Sequence, residues 1–380
     1  MRGDSPGAYY EFFAGGGMAR LGLGPRWACA FANDIDPAKG RAYGAAFGDA
    51  HLSIGDVWGL NADDLPGRAD LAWASFPCQD LSLAGARAGL SAPRSGAFWG
   101  FWRLIEGLAG EGRAPRMLVL ENVTGLLTSH SGADFRTLCA TLAAGGYWFG
   151  ALTIDAAHFT PQSRQRVFIV AVRGEIDAAL IADGPREPFH GATLINAVSH
   201  LPQSVAARWL WWRLPIPAAR NTSLADILEP DSKVEWRSRA DTQRLIELMS
   251  PRQRAILEAE RRARGRRVGA VFRRVRTEDG MKTQRAEARF DGIAGCLRTP
   301  TGGSSRQSVI VIDGGVVRSR LLTPRECARL MGVPDDYPLP TSANAGLHLL
   351  GDGVAVPAVR WLAENLLEPL LAAPARADAA

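Results

Sequence analysis

The sequence predicts an α/β fold, a mostly parallel sheet covered by helices with a smaller second domain attached, and three observations support this. From Tyr9 to about Arg173, short apolar runs alternate with helix-length stretches. A glycine-rich turn, Phe13-Ala14-Gly15-Gly16-Gly17, follows the first run directly. Beyond Gly174 the alternation fades, and proline, arginine and tryptophan become frequent. Strands that are apolar almost throughout need cover on both faces, which is the mark of a parallel sheet flanked by helices.

Taken in order, the candidate strands are residues 9–13, 27–33, 69–75, 117–120, 148–155 and 167–172, with helices between them at 37–47, 95–108 and 134–144. In sheets of this kind ligands bind beyond the carboxyl ends of the strands. Glu11, Asp34, Cys78 and Glu121 all fall at or near those ends, so the candidate chemistry converges on one rim. The second region contains Trp209-Leu210-Trp211-Trp212, a charged amphipathic helix over 250–264 and a glycine- and serine-rich loop over 299–305. A hairpin over 309–317 then turns at Asp313-Gly314-Gly315. It reads as irregular and largely non-helical. The last element is an apolar helix over 354–371, after the turn Gly351-Asp352-Gly353. The expected division is 1–186 with 343–380 as the catalytic and cofactor-binding domain, and 187–342 as a recognition domain with its hinge.

The composition is that of an ordinary globular protein: 380 residues, 47% hydrophobic and 22% charged. No apolar run reaches the ~18 residues of a membrane span. The N-terminus lacks the apolar core of a secretory signal, so a cytoplasmic location is expected. The five cysteines are scattered, odd in number and never spaced Cys-x-x-Cys, and the six histidines are dispersed. Neither a disulfide framework nor a metal site is expected. The net charge is +5, carried almost wholly by arginine. Arg261, Arg262, Arg264, Arg266, Arg267, Arg273, Arg274 and Arg276 crowd one stretch. That run is a solvated face or a surface for phosphates and base edges.

The motifs carry the chemistry. The glycine turn lets backbone approach a ligand closely. It is not the dinucleotide fingerprint, because Arg20 takes the place of the third glycine. Asp34 is placed for a ribose and Asp56, in Gly55-Asp56-Val57, for an adenine amino group. Each alone reads first as a helix cap or turn former, and together they favour an adenosyl cofactor. Cys78 leaves its strand in Pro77-Cys78-Gln79. A thiolate is the soft nucleophile needed to attack C6 of a pyrimidine, and the attack needs a proton delivered to N3 of the ring. Glu121, in Glu121-Asn122-Val123, is placed to supply it; the plainer reading is a strand-end carboxylate paired with arginine. Asn122 is placed to hold the loop carrying Cys78. In Gln162-Ser163-Arg164-Gln165-Arg166 the two arginines fall on one face of an extended segment. They either hold a substrate base and phosphate or form an ion-pair lattice with Glu121.

These residues together resemble the DNA (cytosine-5) methyltransferases of bacterial and phage type II systems. Glu11-Phe12-Phe13-Ala14-Gly15-Gly16-Gly17 looks like the methionine-moiety loop, Asn33-Asp34 and Gly55-Asp56-Val57 like the ribose and adenine contacts. Pro77-Cys78-Gln79 matches the nucleophile motif, Glu121-Asn122-Val123 the proton-donor motif and Gln162-x-Arg164-x-Arg166 the paired-arginine motif. The run from Arg320 to Gly332 matches the segment that supports target recognition. The last motif departs from pattern: Gly351-Asp352-Gly353-Val354 carries aspartate where the family has asparagine. Glu11 likewise replaces aspartate.

The resemblance implies a Rossmann-like S-adenosylmethionine-dependent methyltransferase domain, with Cys78, Glu121, Arg164 and Arg166 catalytic. It implies that Glu11, Phe13, Gly15, Gly16, Gly17, Asp34, Ile35, Asp56, Val57, Pro77, Asp352 and Val354 hold S-adenosyl-L-methionine. Double-stranded DNA would meet Gln79, Ser82, Arg87, Asn122, Arg273, Arg274, Arg276, Arg298, Thr301, Gly302, Gly303, Ser304 and Arg306. The target cytosine would be extruded from the duplex. The protein would act as a monomer on DNA, with a restriction endonuclease as a possible partner and no metal. An RNA or tRNA cytosine-5 methyltransferase and a non-catalytic DNA-binding regulator are the alternatives.

Overall fold

The computed structural model describes residues 6–77, 96–278, 281–299 and 306–372. The chain divides into two compact units, one of residues 1–155, 165–217 and 358–380, the other of residues 156–164 and 218–357.

The first unit is a seven-stranded sheet. Its strands are β1 (Gly7–Phe12), β2 (Trp27–Asp34), β3 (Leu52–Ile54), β4 (Leu71–Ala74), β5 (Met117–Val123), β6 (Trp148–Asp155) and β7 (Gln165–Val172), in the order β3-β2-β1-β4-β5-β7-β6. The first five are parallel, and β7 runs antiparallel between β5 and β6. The apolar runs form the middle of the sheet, and β4 is buried at every residue. Helices α1 (Met18–Leu23), α2 (Pro37–Phe47), α3 (Ala97–Gly110) and α4 (Ala133–Ala144) join the strands. In α3 the buried Phe98, Phe101, Trp102, Leu104, Ile105 and Leu108 recur at helical spacing, which gives it one apolar face for the sheet. In α2 the Asp36 carboxylate accepts from Ala38 N–H and Pro37 opens the helix, both normal start signals.

Strand order reverses between β1 and β4, since β2 and β3 lie to one side of β1 and β5 to the other. The loops leaving β1 and β4 therefore part, and the crevice they leave is where open α/β sheets take ligands.

The second unit is more regular than expected. After a short antiparallel pair in the first unit, β8 (Ile181–Ala182) with β9 (Trp211–Trp212), an antiparallel sheet in the second, in the order β11-β10-β12-β13, joins β10 (Arg267–Glu278), β11 (Met281–Arg289), β12 (Ser308–Asp313) and β13 (Val316–Leu321). Its core is Leu245, Met249, Leu257, Val271, Ala286, Ala288, Ile310 and Ile312, supplied partly by two helices over Arg239–Glu247 and Pro251–Arg262. The expected charged helix and glycine-turn hairpin are both present, with Gly314 and Gly315 at φ 53° and 76°.

The two units are bounded differently from the expected division, and residues 156–164 belong to the second. Residues 187–217 stay with the first unit because the backbone of Phe149 bonds Arg208 and Leu210, and Trp212 donates to Val170 O. Residues 343–357 join the second. The turn expected at Gly351-Asp352 is the end of a helix, Ala343–Asp352, and the apolar helix expected over 354–371 runs from Val356 to Ala372 with a π turn at Ala363–Leu367. Among the described residues no helix is long and apolar enough to cross a membrane.

Candidate active site

Glu11, next to last in β1, is almost fully buried, at 1% exposure. Burial pushes its carboxyl up to about 8, opposed chiefly by the charge of Arg20 and reinforced by Asp34. Its Oε2 finds no hydrogen-bond partner among the described residues. Phe13 then adopts φ 59°, a left-handed conformation rare outside glycine, and Gly15 and Gly17 follow at 55° and 73°. These positive angles curl the loop back on the sheet, where Ala14 N–H bonds Asn33 O. A Cβ added to Gly15 would meet nothing within 4 Å, whereas one on Gly17 would strike the Phe47 and Tyr43 rings. Gly17 is thus demanded by packing, and Gly15 faces open space.

At the end of β2, Asp34 accepts from Gly15 N–H (2.8 Å) and from Asp36 N–H (2.8 Å), so the carboxylate braces the glycine loop. Each oxygen keeps acceptor capacity for a further donor. Ile35 beside it is 64% exposed, an apolar side chain with nothing over it. Asp56 caps the short turn Val57–Gly59 through Trp58 N–H (3.0 Å), and Val57 is buried. An ammonium-bearing adenosyl ligand fits this set. The unpartnered Oε2 suits a cation, the Asp34 carboxylate suits hydroxyls, and Ile35 offers an apolar surface to a flat ring.

Beyond β4 the backbone continues through Phe76 to Pro77. Cys78, Gln79, Ser82 and Arg87 lie outside the described residues, as do Thr301, Gly302, Gly303 and Ser304. The strand exit is nevertheless fixed. Asn122 Nδ2, buried at the end of β5, donates to Phe76 O (3.1 Å), and its Oδ1 accepts from Val123 N–H (2.8 Å). This amide bridge locks the ends of β4 and β5 together.

Glu121, 6% exposed, meets Arg166 Nε at 3.2 Å. The β5–β7 register explains the pair. Glu121 stands opposite Phe168 and Val123 opposite Arg166, so Glu121 and Arg166 are diagonal neighbours on one sheet face. The other arginine of the pair has different partners. Arg164 precedes β7 and belongs to the second unit, where its guanidinium donates to Leu297 O (2.9 Å), Gly351 O (2.9 Å) and Gly353 O (2.5 Å). It clamps backbone. Gln162, fully buried, works beside it, donating to Leu330 O (2.9 Å) and accepting from Leu297 N–H (2.9 Å).

Sequence reasoning missed that role for Gln162 and the need for glycine at 351, where a Cβ would lie 2.7 Å from Thr299 N and 2.8 Å from Arg298 C. Asp352 is exposed and Val354 buried. Arg298 and Arg306 are exposed, with Arg306 donating to Asn344 Oδ1 (2.9 Å). Arg273, Arg274 and Arg276 are exposed on β10, and Arg276 Nε bonds Glu287 (3.0 Å) on β11. Among the described residues no three histidine, cysteine or acidic side chains gather as metal ligands.

The chain matches the family model of the C-5 cytosine-specific DNA methylases over residues 8–368. It is 27% identical over 365 residues to the type II methyltransferase M.DsaV of Dactylococcopsis salina, spanning 94% of this chain and 85% of that protein. It is 28% identical over 384 residues to the type II methyltransferase M.HpaII of Haemophilus parainfluenzae, spanning 95% and 89%. The crystal structure of the S. pombe Dnmt2 methyltransferase superposes with a TM-score of 0.59 at 18% identity, covering 96% of this chain and 99% of that one. At that identity the likeness speaks for the fold.

Proposed function

The chain belongs to the C-5 cytosine-specific DNA methylase family, and on that premise we propose that it methylates C5 of a flipped-out cytosine in a specific double-stranded DNA sequence. The proposed methyl donor is S-adenosyl-L-methionine, which supplies an electrophilic methyl group on a sulfonium. In this reading Glu11 receives the donor's ammonium group, Asp34 its ribose and Asp56 its adenine, while Ile35 and Val57 form the apolar wall beside the ring.

The chain's own chemistry follows from two strand ends. The Cys78 thiolate adds to C6 of the cytosine as Glu121 gives a proton to N3, so the ring electrons reach C5 without building charge on the base. After methylation a water takes the C5 proton, the C6–sulfur bond breaks to return the thiolate, and N3 gives its proton back to Glu121. Arg166 orients the Glu121 carboxyl. The observation that carries this reading is the Asn122 bridge to Phe76 O. It binds the strand exit leading to Pro77-Cys78 to the strand end bearing Glu121, which is what a nucleophile and acid acting on one ring require. Arg298 and Arg306, with the Thr301–Ser304 loop and the arginines of β10, are the proposed DNA contacts.

Bisulfite sequencing of DNA from cells expressing the chain tests this. The expected result is 5-methylcytosine at one sequence context, absent from cells expressing Cys78→Ser. Methylation that persists in that variant, or none with the wild type, contradicts the proposal.

A further inference from the structure

The hairpin of β10 and β11 outgrows the sheet that carries it. β12 pairs with β10 only from Arg267 to Val271, whereas β11 pairs with it from Ala270 to Glu278. Beyond Val271 the two strands run on as a two-stranded ribbon whose side chains alternate between two faces. At its root one face is covered, because Ala286 and Ala288 are buried in the core of the unit. The other face carries Phe272, Arg274 and Arg276 from β10 and Thr283, Arg285 and Glu287 from β11. Arg274 stands directly opposite Arg285, a like-charged pair of the kind that destabilises a free ribbon. Among the described side chains of that face, Glu287 is the one acid.

Two arginines share its carboxylate. Oε1 accepts from Arg276 Nε (3.0 Å) and from Nη2 of the same guanidinium, and Oε2 lies 3.8 Å from Arg274 Nε. Arg276 stands opposite Thr283, four residues from Glu287 along β11, so its side chain lies back along the ribbon towards the root. The Arg274 guanidinium sits over the Phe272 ring, 4.5 Å from its centroid. Both arginine side chains remain about half exposed, at 54% and 49%, so an outside anion can reach them. Guanidinium forks bind phosphate and carboxylate oxygens by the same geometry, which makes the two anions interchangeable here. A two-stranded ribbon is also a shape that the major groove of a duplex admits.

We infer that Glu287 is a placeholder for a DNA phosphate. It holds Arg274 and Arg276 folded onto the ribbon until a duplex displaces it, and so weakens binding driven by the backbone alone. This rests on the reading of the β10 arginines as DNA contacts, and adds a residue of β11 that works against the contact. Exposed ion pairs are individually weak, so the exchange of carboxylate for phosphate is readily made and reversed.

Fluorescence anisotropy with a labelled duplex of arbitrary sequence tests it on the full chain, with S-adenosylhomocysteine present and salt varied between about 50 and 200 mM. Glu287→Gln keeps the shape of the side chain and removes its charge. It should bind about three- to tenfold more tightly than the wild type at low salt, with a salt dependence steeper by up to about one unit. Arg274→Gln/Arg276→Gln should bind about tenfold more weakly than the wild type. Adding Glu287→Gln to that double variant should change affinity by less than about twofold, since the two guanidiniums it holds are gone. An equal gain in both backgrounds makes Glu287 a general negative charge near the duplex and overturns the inference. If the double variant binds weakly while Glu287→Gln binds like the wild type, only the Glu287 inference falls. If the double variant binds like the wild type, the reading of β10 as a DNA face falls, and the inference with it.

Discussion

Two buried glutamates, one in each unit, show how differently this chain treats charge. Glu326 in the second unit is fully buried, and every direction of its carboxylate is answered. Oε1 accepts from Arg320 Nη2 (2.6 Å) and Glu229 N–H (2.8 Å), and Oε2 from Arg320 Nη1 (2.7 Å) and Thr323 N–H (2.9 Å). Glu11 in the first unit is as deeply buried but leaves Oε2 without a partner. A satisfied buried ion pair is scaffold, and here it fixes the start of the helix Pro324–Leu330. A buried carboxylate with an open oxygen stores a cost that a cationic ligand removes. The difference separates the residues that build the recognition unit from those that wait for a ligand.

Breaking the scaffold pair should have the largest effect. Glu326→Ala leaves the Arg320 guanidinium buried and unpaired, and should cost about 3–5 kcal/mol of stability in urea or heat denaturation. A loss below about 1 kcal/mol would mean that the pair is solvated in solution. Glu11→Gln should act in the opposite sense. Affinity for S-adenosylmethionine should fall about 10- to 100-fold at pH 8, the worth of a charge-assisted hydrogen bond, while stability without ligand should not fall.

The pH dependence sharpens this contrast. Glu11 is held protonated up to about 8 when folded, whereas an unfolded glutamate ionises near ~4.3. Between those values the folded state binds the extra proton, so its contribution to stability declines as pH rises through the window and levels off above it. The Glu11→Gln protein should lack that decline. Thermal melts from pH 5 to 9 check the sign, and parallel wild-type and variant curves would contradict it.

Much of this was legible from sequence, and the misses have physical causes. The apolar runs located six of the seven strands of the first sheet because their middles are buried, while β3, a three-residue edge strand that is half-buried to exposed, left no such run. The glycine loop, Asp34 and Glu121 were legible because strand ends in a parallel sheet share one rim. The β10–β11 hairpin was hidden: beyond Val271 its side chains are mostly exposed, and Arg273, Arg274 and Arg276 read as a charged surface rather than a strand. The backbone partners of Arg164 were not legible, because period-two spacing assigns a side chain to a face and not to the groups packed against it. Nothing in a single sequence could reveal that Gly351 is needed for the close approach of residues 298 and 299.

Smaller effects test the remaining contrasts. Asn122→Ala removes the bridge between strand ends and should cost about 1 kcal/mol of stability. It should also slow methylation without changing cofactor affinity; an equal loss in both would make Asn122 a general packing residue. Arg274→Ala, on the exposed face of β10, should leave stability within about 0.5 kcal/mol. If the arginine meets a phosphate, the slope of duplex affinity against salt should drop by about one unit. An unchanged slope would return that face to plain solvent exposure.

The claim on which the functional account turns is the bond between the sulfur of Cys78 and C6 of a cytosine. Fluorine at C5 cannot leave as a proton does, so the adduct should persist after methylation. A pool of duplexes carrying 5-fluorocytosine in randomised sequence, incubated with the chain and S-adenosylmethionine, should yield a protein–DNA species that survives denaturing electrophoresis, with the DNA attached to the peptide containing Cys78. Methylation of ordinary duplexes by the same preparation, with no such species from the fluorinated pool, would contradict the account.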